Sequence, residues 1–244
     1  MFDLYKHKGP EKGVAIVPAV LPHNFKDLAQ HIELLKEAPI KFVQIDAVDG
    51  IFAHTRTWPY RDEATFAKVV QEEHGLPLWE QFDFEFDLMV DDPFVKVMEF
   101  VHAGAARMLV HAKSATALHA VQKLVDLREE SGALPLEVGV AVNLDEQPDA
   151  LEPFEAQFDY IQVMGIAKIG YQGEPFDKRA LYLLERLRQR YPTLTLQVDG
   201  GVTMENAHAL AKAGANRLVV GSAIFKSDDP VAAIAALKAE ANKQ

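Results

Sequence analysis

The chain has no cysteine. That excludes disulfide staples, thiolate catalysis and zinc sites built on thiolates. Positive charge is also in short supply. Against 36 aspartates and glutamates stand 25 lysines and arginines, for a net charge of −11. Binding DNA or RNA requires a basic face to neutralise phosphates, so nucleic acid is excluded as a partner. Long apolar runs are missing as well. No stretch reaches the ~18 consecutive apolar residues of a membrane span. The opening "MFDLYKHKGPEKG" lacks the apolar segment of a signal peptide. A cytoplasmic protein without a membrane partner is expected. No linker, low-complexity tract or break in composition divides residues 1–244, so one domain is expected over the whole chain.

What the chain does have is apolar residues, 49% of the total, enough to build a sizeable core. They fall into two alternating patterns. Strand-like runs are "VAIVPAVL", "KFVQIDAV", "FDFEFDLMV", "RMLVHAKS", "LEVGVAVN", "DYIQVMGI", "LTLQVDGG" and "NRLVVGSAIF". Helix-like segments lie between them, among them "DLAQHIELLKEA", "ATALHAVQKLVDLREESG" and "KRALYLLERLRQRY". A final segment, "DPVAAIAALKAEANK", places Pro230 in a first helical turn. Eight strands each followed by a helix predict an α/β fold, a (β/α)8 TIM barrel. A doubly wound open sheet is the alternative, but no G-x-G-x-x-G follows the first strand.

One strand face of a barrel packs on the helices and the other fills the interior. The more apolar face should meet the helices. That rule puts Val43, Ile45 and Ala47 outward, and Gln44 and Asp46 inward. By the same parity Asp83, Glu85, Asp87 and Met89 point in, as do Gln162 and Met164, and Gln197 and Asp199. His111 and Lys113 extend the inward set, with Asn143 at the end of its strand. Gln44, Asp46, Asp87, His111, Lys113, Asn143 and Asp199 should therefore gather at the C-terminal mouth, where barrels of this type keep their chemistry. Asp83 and Glu85 sit nearer the strand starts and suggest a polar cluster at the barrel floor.

Two glycine turns follow the last two strands, "DGGVTMEN" and "GSAIF". Loops in these places commonly bind phosphate. Gly200, Gly201, Gly221 and Ser222 would offer backbone N–H groups and a hydroxyl, with Thr203 capping the next helix. A further glycine loop, "IGYQGEPFD", follows strand 6 and could close over a ligand.

With those motifs in view, the chain resembles the ribulose-phosphate 3-epimerases. The likeness runs through "PAVLPHNF", "QIDAVDGIF", "FDLMV", "VAVNLDEQP", "VMGIAKIGYQGEPF" and, most specifically, "VDGGVTMENAHALAKAGANRLVVGSAIF". The resemblance implies a ribulose-phosphate-binding barrel whose substrate is a small phosphorylated sugar. It implies inversion of a carbon next to the carbonyl of a pentulose 5-phosphate by two aspartates, with a divalent metal beside them. By position the aspartates are Asp46 and Asp199. The phosphate would rest on Gly173, Gly200, Gly201, Gly221 and Ser222, with Met164 lining the substrate site. A homo-oligomer is expected.

The chain departs from the family pattern in the metal and sugar half. Gln44-Ile45-Asp46 stands where the family has His-x-Asp, and Asp87 where it has His. Pro22 replaces a Ser, Val48 a Met, and His111-Ala112-Lys113 a His-x-Glu. The candidate metal ligands are then Gln44, Asp46, Asp87 and Asp199, all oxygen donors, which suit magnesium or manganese better than zinc. Alternatively no metal is used and the Lys113 ammonium supplies the positive charge, making Lys113 catalytic. Two further readings stay open: a sugar-phosphate lyase or decarboxylase using Lys113 with Asp46 and Asp87, and a binding protein without turnover. His23, His54 and Arg56 are loop residues within possible reach of a substrate.

Overall fold

The computed structural model describes residues 13–132, 134–171 and 173–243. Each strand-like run forms a strand: β1 (Ala15–Val20), β2 (Phe42–Val48), β3 (Asp83–Met89), β4 (Ala105–His111), β5 (Glu137–Val142), β6 (Tyr160–Met164), β7 (Thr195–Asp199) and β8 (Arg217–Val220). The helices are α1 (Phe25–Glu33), α2 (Glu63–Val70), α3 (Val97–His102), α4 (Ala117–Ser131), α5 (Arg179–Arg190), α6 (Ala207–Lys212), α7 (Ser222–Phe225) and α8 (Pro230–Ala241). Consecutive strands pair in parallel and β8 returns to β1, closing the barrel. Among the described residues no helix is long and apolar enough to cross a membrane.

Local chemistry explains most boundaries. The Asn24 side chain accepts from the Asp27 N–H at 2.9 Å and starts α1. Asp229 does the same for Ala232, with Pro230 at the first helical position of α8. Gly132 ends α4 in the left-handed conformation. Two elements differ from the sequence expectation. No α-helix follows β5; Pro148–Phe154 is a 3-10 helix with Pro153 inside it, a residue that denies an α-helix its hydrogen bond. The run "NRLVVGSAIF" is strand only to Val220, and its end is the short helix α7.

The parity rule holds through the barrel. Val43, Ile45, Phe86, Val140, Ile161 and Leu196 are buried in the large core shared with the helices. The inward residues stack in layers fixed by strand register. Gln44 lies beside Glu85 and Gln162 beside Gln197; one step higher, Asp46 lies beside Asp87 and Met164 beside Asp199. A layer of three amides and one carboxylate therefore supports a layer of three carboxylates. Beneath both, Arg107 approaches Glu85 at 3.8 Å and bonds Glu137 at 2.9 Å, which makes the floor cluster ionic. Asp83 is not part of it. Its carboxylate pairs with Lys41 at 2.9 Å and is partly exposed.

Candidate active site

Asp199 ends β7, Asp46 and Asp87 lie two residues before the ends of β2 and β3, and all three are buried. One ligand oxygen from each lies within 4.8 Å of the others. Carboxylates this close repel each other unless a cation or donors join them. Burial, then the charges of Asp199 and Asp87, push Asp46 well above the usual carboxylate range. Burial and then Asp87 push Asp199 up to about 7.

Donors come from the layer below. Gln44 Nε2 donates to Asp46 Oδ1 at 2.8 Å and to Asp199 Oδ2 at 3.1 Å. Gln162 Nε2 donates to Asp87 Oδ2 at 3.0 Å and contacts the Met164 sulfur at 3.4 Å. The second Asp87 oxygen lies 2.9 Å from His111 Nε2. His111 is buried, its ring packs on Phe52 at 4.9 Å between centroids, and its Nδ1 has no partner among the described residues.

Asp46 and Asp199 open into a cleft of about 500 Å³, open solvent included. Asp46, Asp199, Met89 and Met164 line one part of it; Gly173, Gly200, Gly201, Gly221 and Ser222 line the other. All five proposed phosphate residues thus share one cavity with two of the carboxylates. The glycines are required by space as well as by conformation. Gly201 has φ +67°, and a Cβ there would sit 2.7 Å from the Phe176 backbone. A Cβ on Gly165 would meet the Gly200 carbonyl oxygen at 2.2 Å. Phe176 was not foreseen; it comes from the strand-6 loop, where Asp177 N–H donates to the Gly165 carbonyl at 2.8 Å.

Other expected residues stand apart. Lys113 lies one residue pair beyond the end of β4, where strand parity no longer applies. Its side chain is 40% exposed and its ammonium pairs with Asp145 instead of joining the carboxylates. Asn143 is buried, with its backbone N–H donating to Glu146 at 2.7 Å. His23, His54 and Arg56 are exposed, and Arg56 Nε donates to the Asp49 carbonyl at 3.2 Å. Thr203 does not cap a helix. Asn206 Oδ1 accepts from the Thr203 N–H at 2.8 Å and α6 begins only afterwards.

The residues fit a divalent metal in part. Three buried carboxylates form an all-oxygen set of the kind hard cations prefer. Gln44 does not add a fourth oxygen. Both its amide protons face Asp46 and Asp199, so it meets the site as a donor, contrary to its expected role as a ligand.

The model of the ribulose-phosphate 3 epimerase family matches residues 15–225. The chain belongs to this family. It is 28% identical over 223 residues to the ribulose-phosphate 3-epimerase of Schizosaccharomyces pombe, covering 91% of this chain and 92% of that one. It is 28% identical over 230 residues to the chloroplastic ribulose-5-phosphate-3-epimerase of Arabidopsis thaliana, covering 93% and 76%. The fold is shared with a crystal structure of 3-hexulose-6-phosphate synthase, at TM-score 0.65 and 19% identity over 93% of this chain and 99% of that one. Membership in a family of sugar-phosphate isomerases agrees with the glycine cleft.

Proposed function

We propose that the chain is an epimerase of a phosphorylated ketose, inverting the carbon beside the carbonyl by proton transfer between Asp46 and Asp199. The observation that carries this reading is the pairing of two buried carboxylates, joined by the single amide nitrogen of Gln44, in the same cleft as the glycine loops. The loops would hold the phosphate through backbone N–H groups and the Ser222 hydroxyl. That fixes the reacting carbon at the carboxylate end.

Inversion needs one group that takes a proton and another that gives one. Carboxylates whose proton affinities are raised suit both tasks, and the charge of one, once ionised, suppresses ionisation of the other. A divalent ion held by Asp46, Asp87 and Asp199, magnesium or manganese by donor type, would supply positive charge beside the carbonyl oxygen. His111 and Gln162 hold Asp87 in place from behind. Lys113 has no part in this scheme. Its pairing with Asp145 leaves the lyase reading without its lysine.

Asp46→Asn and Asp199→Asn test the assignment with ribulose 5-phosphate as the substrate. Each should lower inversion by about 10³-fold, within the usual range for a lost acid or base. Phosphate binding should stay nearly intact. Normal turnover by both variants would make these aspartates structural.

A further inference from the structure

The amide layer has a direction. Gln197 Nε2 donates to Glu85 Oε1 at 2.5 Å and to the Gln162 carbonyl oxygen at 2.8 Å, and it lies 3.4 Å from the Gln44 carbonyl oxygen. An amide nitrogen has two protons. Those of Gln197 go to Glu85 and Gln162, with Gln44 sharing at longer range. The protons of Gln44 go to Asp46 and Asp199, and one of Gln162 goes to Asp87. Each link settles the next. Gln197 turns its nitrogen toward the Glu85 carboxylate. That nitrogen then faces the oxygens of Gln44 and Gln162. Their nitrogens are left facing the carboxylates. Five of the residues in this network, Glu85, Gln197, Gln162, Gln44 and Asp87, are completely buried.

We infer that Glu85 and Gln197 are positioning residues that lock the amides of Gln44 and Gln162 as donors toward the carboxylates, and so withhold the Gln44 oxygen from a metal. The site is thereby built to hold a cation with carboxylates only. A Gln44 oxygen turned toward the metal would place its nitrogen against the nitrogen of Gln197, two donors without an acceptor between them, among fully buried side chains. The lock therefore weakens metal binding in exchange for stabilising the cluster when no metal is bound. This concerns the same site as the epimerase reading, but its test reads metal affinity and not turnover.

The lock can be reversed at constant charge by the double substitution Glu85→Gln with Gln197→Glu. A carboxylate at position 197 would accept from the nitrogens of Gln44 and Gln162, turning their oxygens up. Gln197→Met removes the lock without reversing it. Isothermal titration with manganese chloride is done on the full chain and both variants. The expected order of affinity is wild type, then Gln197→Met, then the double variant, spanning about tenfold, the scale on which supporting residues alter metal binding. If the double variant does not fold, the gain of about threefold expected for Gln197→Met decides the matter. Equal affinities, or weaker binding by the folded variants, overturn the lock. Failure of wild type to turn over ribulose 5-phosphate would defeat the epimerase reading and leave the order of affinities standing.

Discussion

A single methyl group should separate the two kinds of glycine in the cleft. Gly201 combines a positive φ with backbone 2.7 Å from any Cβ, whereas a Cβ on Gly173 would meet only the Lys226 ammonium at 3.5 Å. Gly201→Ala should therefore cost about 1–3 kcal/mol of stability from backbone strain and contact, and the phosphate affinity with it. Gly173→Ala should cost less, since only φ opposes it. Urea unfolding and phosphate titration check both, and equal losses would mean the Phe176 contact is soft. The carboxylates make a second prediction at this scale. With no cation bound, Asp199 is held up at about 7 in the folded chain, well above its unfolded value. The folded state then binds the extra proton, so this stabilising contribution is full below the unfolded value and is lost as pH rises through about 7. Asp199→Asn removes that dependence. In chelator, its stability relative to wild type should be greater at about pH 8 than at about pH 5. A constant difference across that range would show that Asp199 ionises freely.

Strands β6 and β7 bring the loops at their C-terminal ends into direct contact. Gly165 N–H donates to the Asp199 carbonyl at 2.6 Å, and a Cβ on Gly165 would overlap the Gly200 carbonyl. Gly165→Ala should push the end of β6 away from the Gly200 turn that follows β7. Sugar-phosphate affinity should fall even though position 165 offers no side chain to the ligand, as a titration with ribulose 5-phosphate would show. Most of this element-level design was legible in the sequence, because period-two alternation names the inward residues without reference to any partner. It named Gln162 and Gln197 as inward but gave them no role. An amide's direction depends on what lies across the barrel, and no local pattern contains that. Alternation also failed at Lys113, since parity ends with the strand at His111. The prolines 148 and 153 could have announced that no α-helix follows β5. The close fit of Phe176 against Gly201 had no signal at all, because it joins two loops whose spacing is set by the closed barrel.

The molecule as a whole concentrates charge of one sign at its mouth and balances its floor. Glu85 and Glu137 below are met by Arg107 and Arg217, while Asp46, Asp87 and Asp199 above are met by amides and one imidazole. The floor is self-contained and the mouth requires a further proton or cation. If Lys113 supplied that charge, Lys113→Met would abolish turnover and a chelator would be harmless. Because its ammonium is engaged by Asp145, the substitution should leave turnover close to wild type, and a chelator should reduce it. The decisive measurement is proton exchange at the substrate carbon. Ribulose 5-phosphate incubated with the enzyme in deuterated water should take up deuterium beside its carbonyl, before the epimers reach equilibrium, and Asp46→Asn and Asp199→Asn should each take up far less. Epimer formation without any deuterium, or wash-in undiminished in both variants, would contradict proton transfer between these two carboxylates.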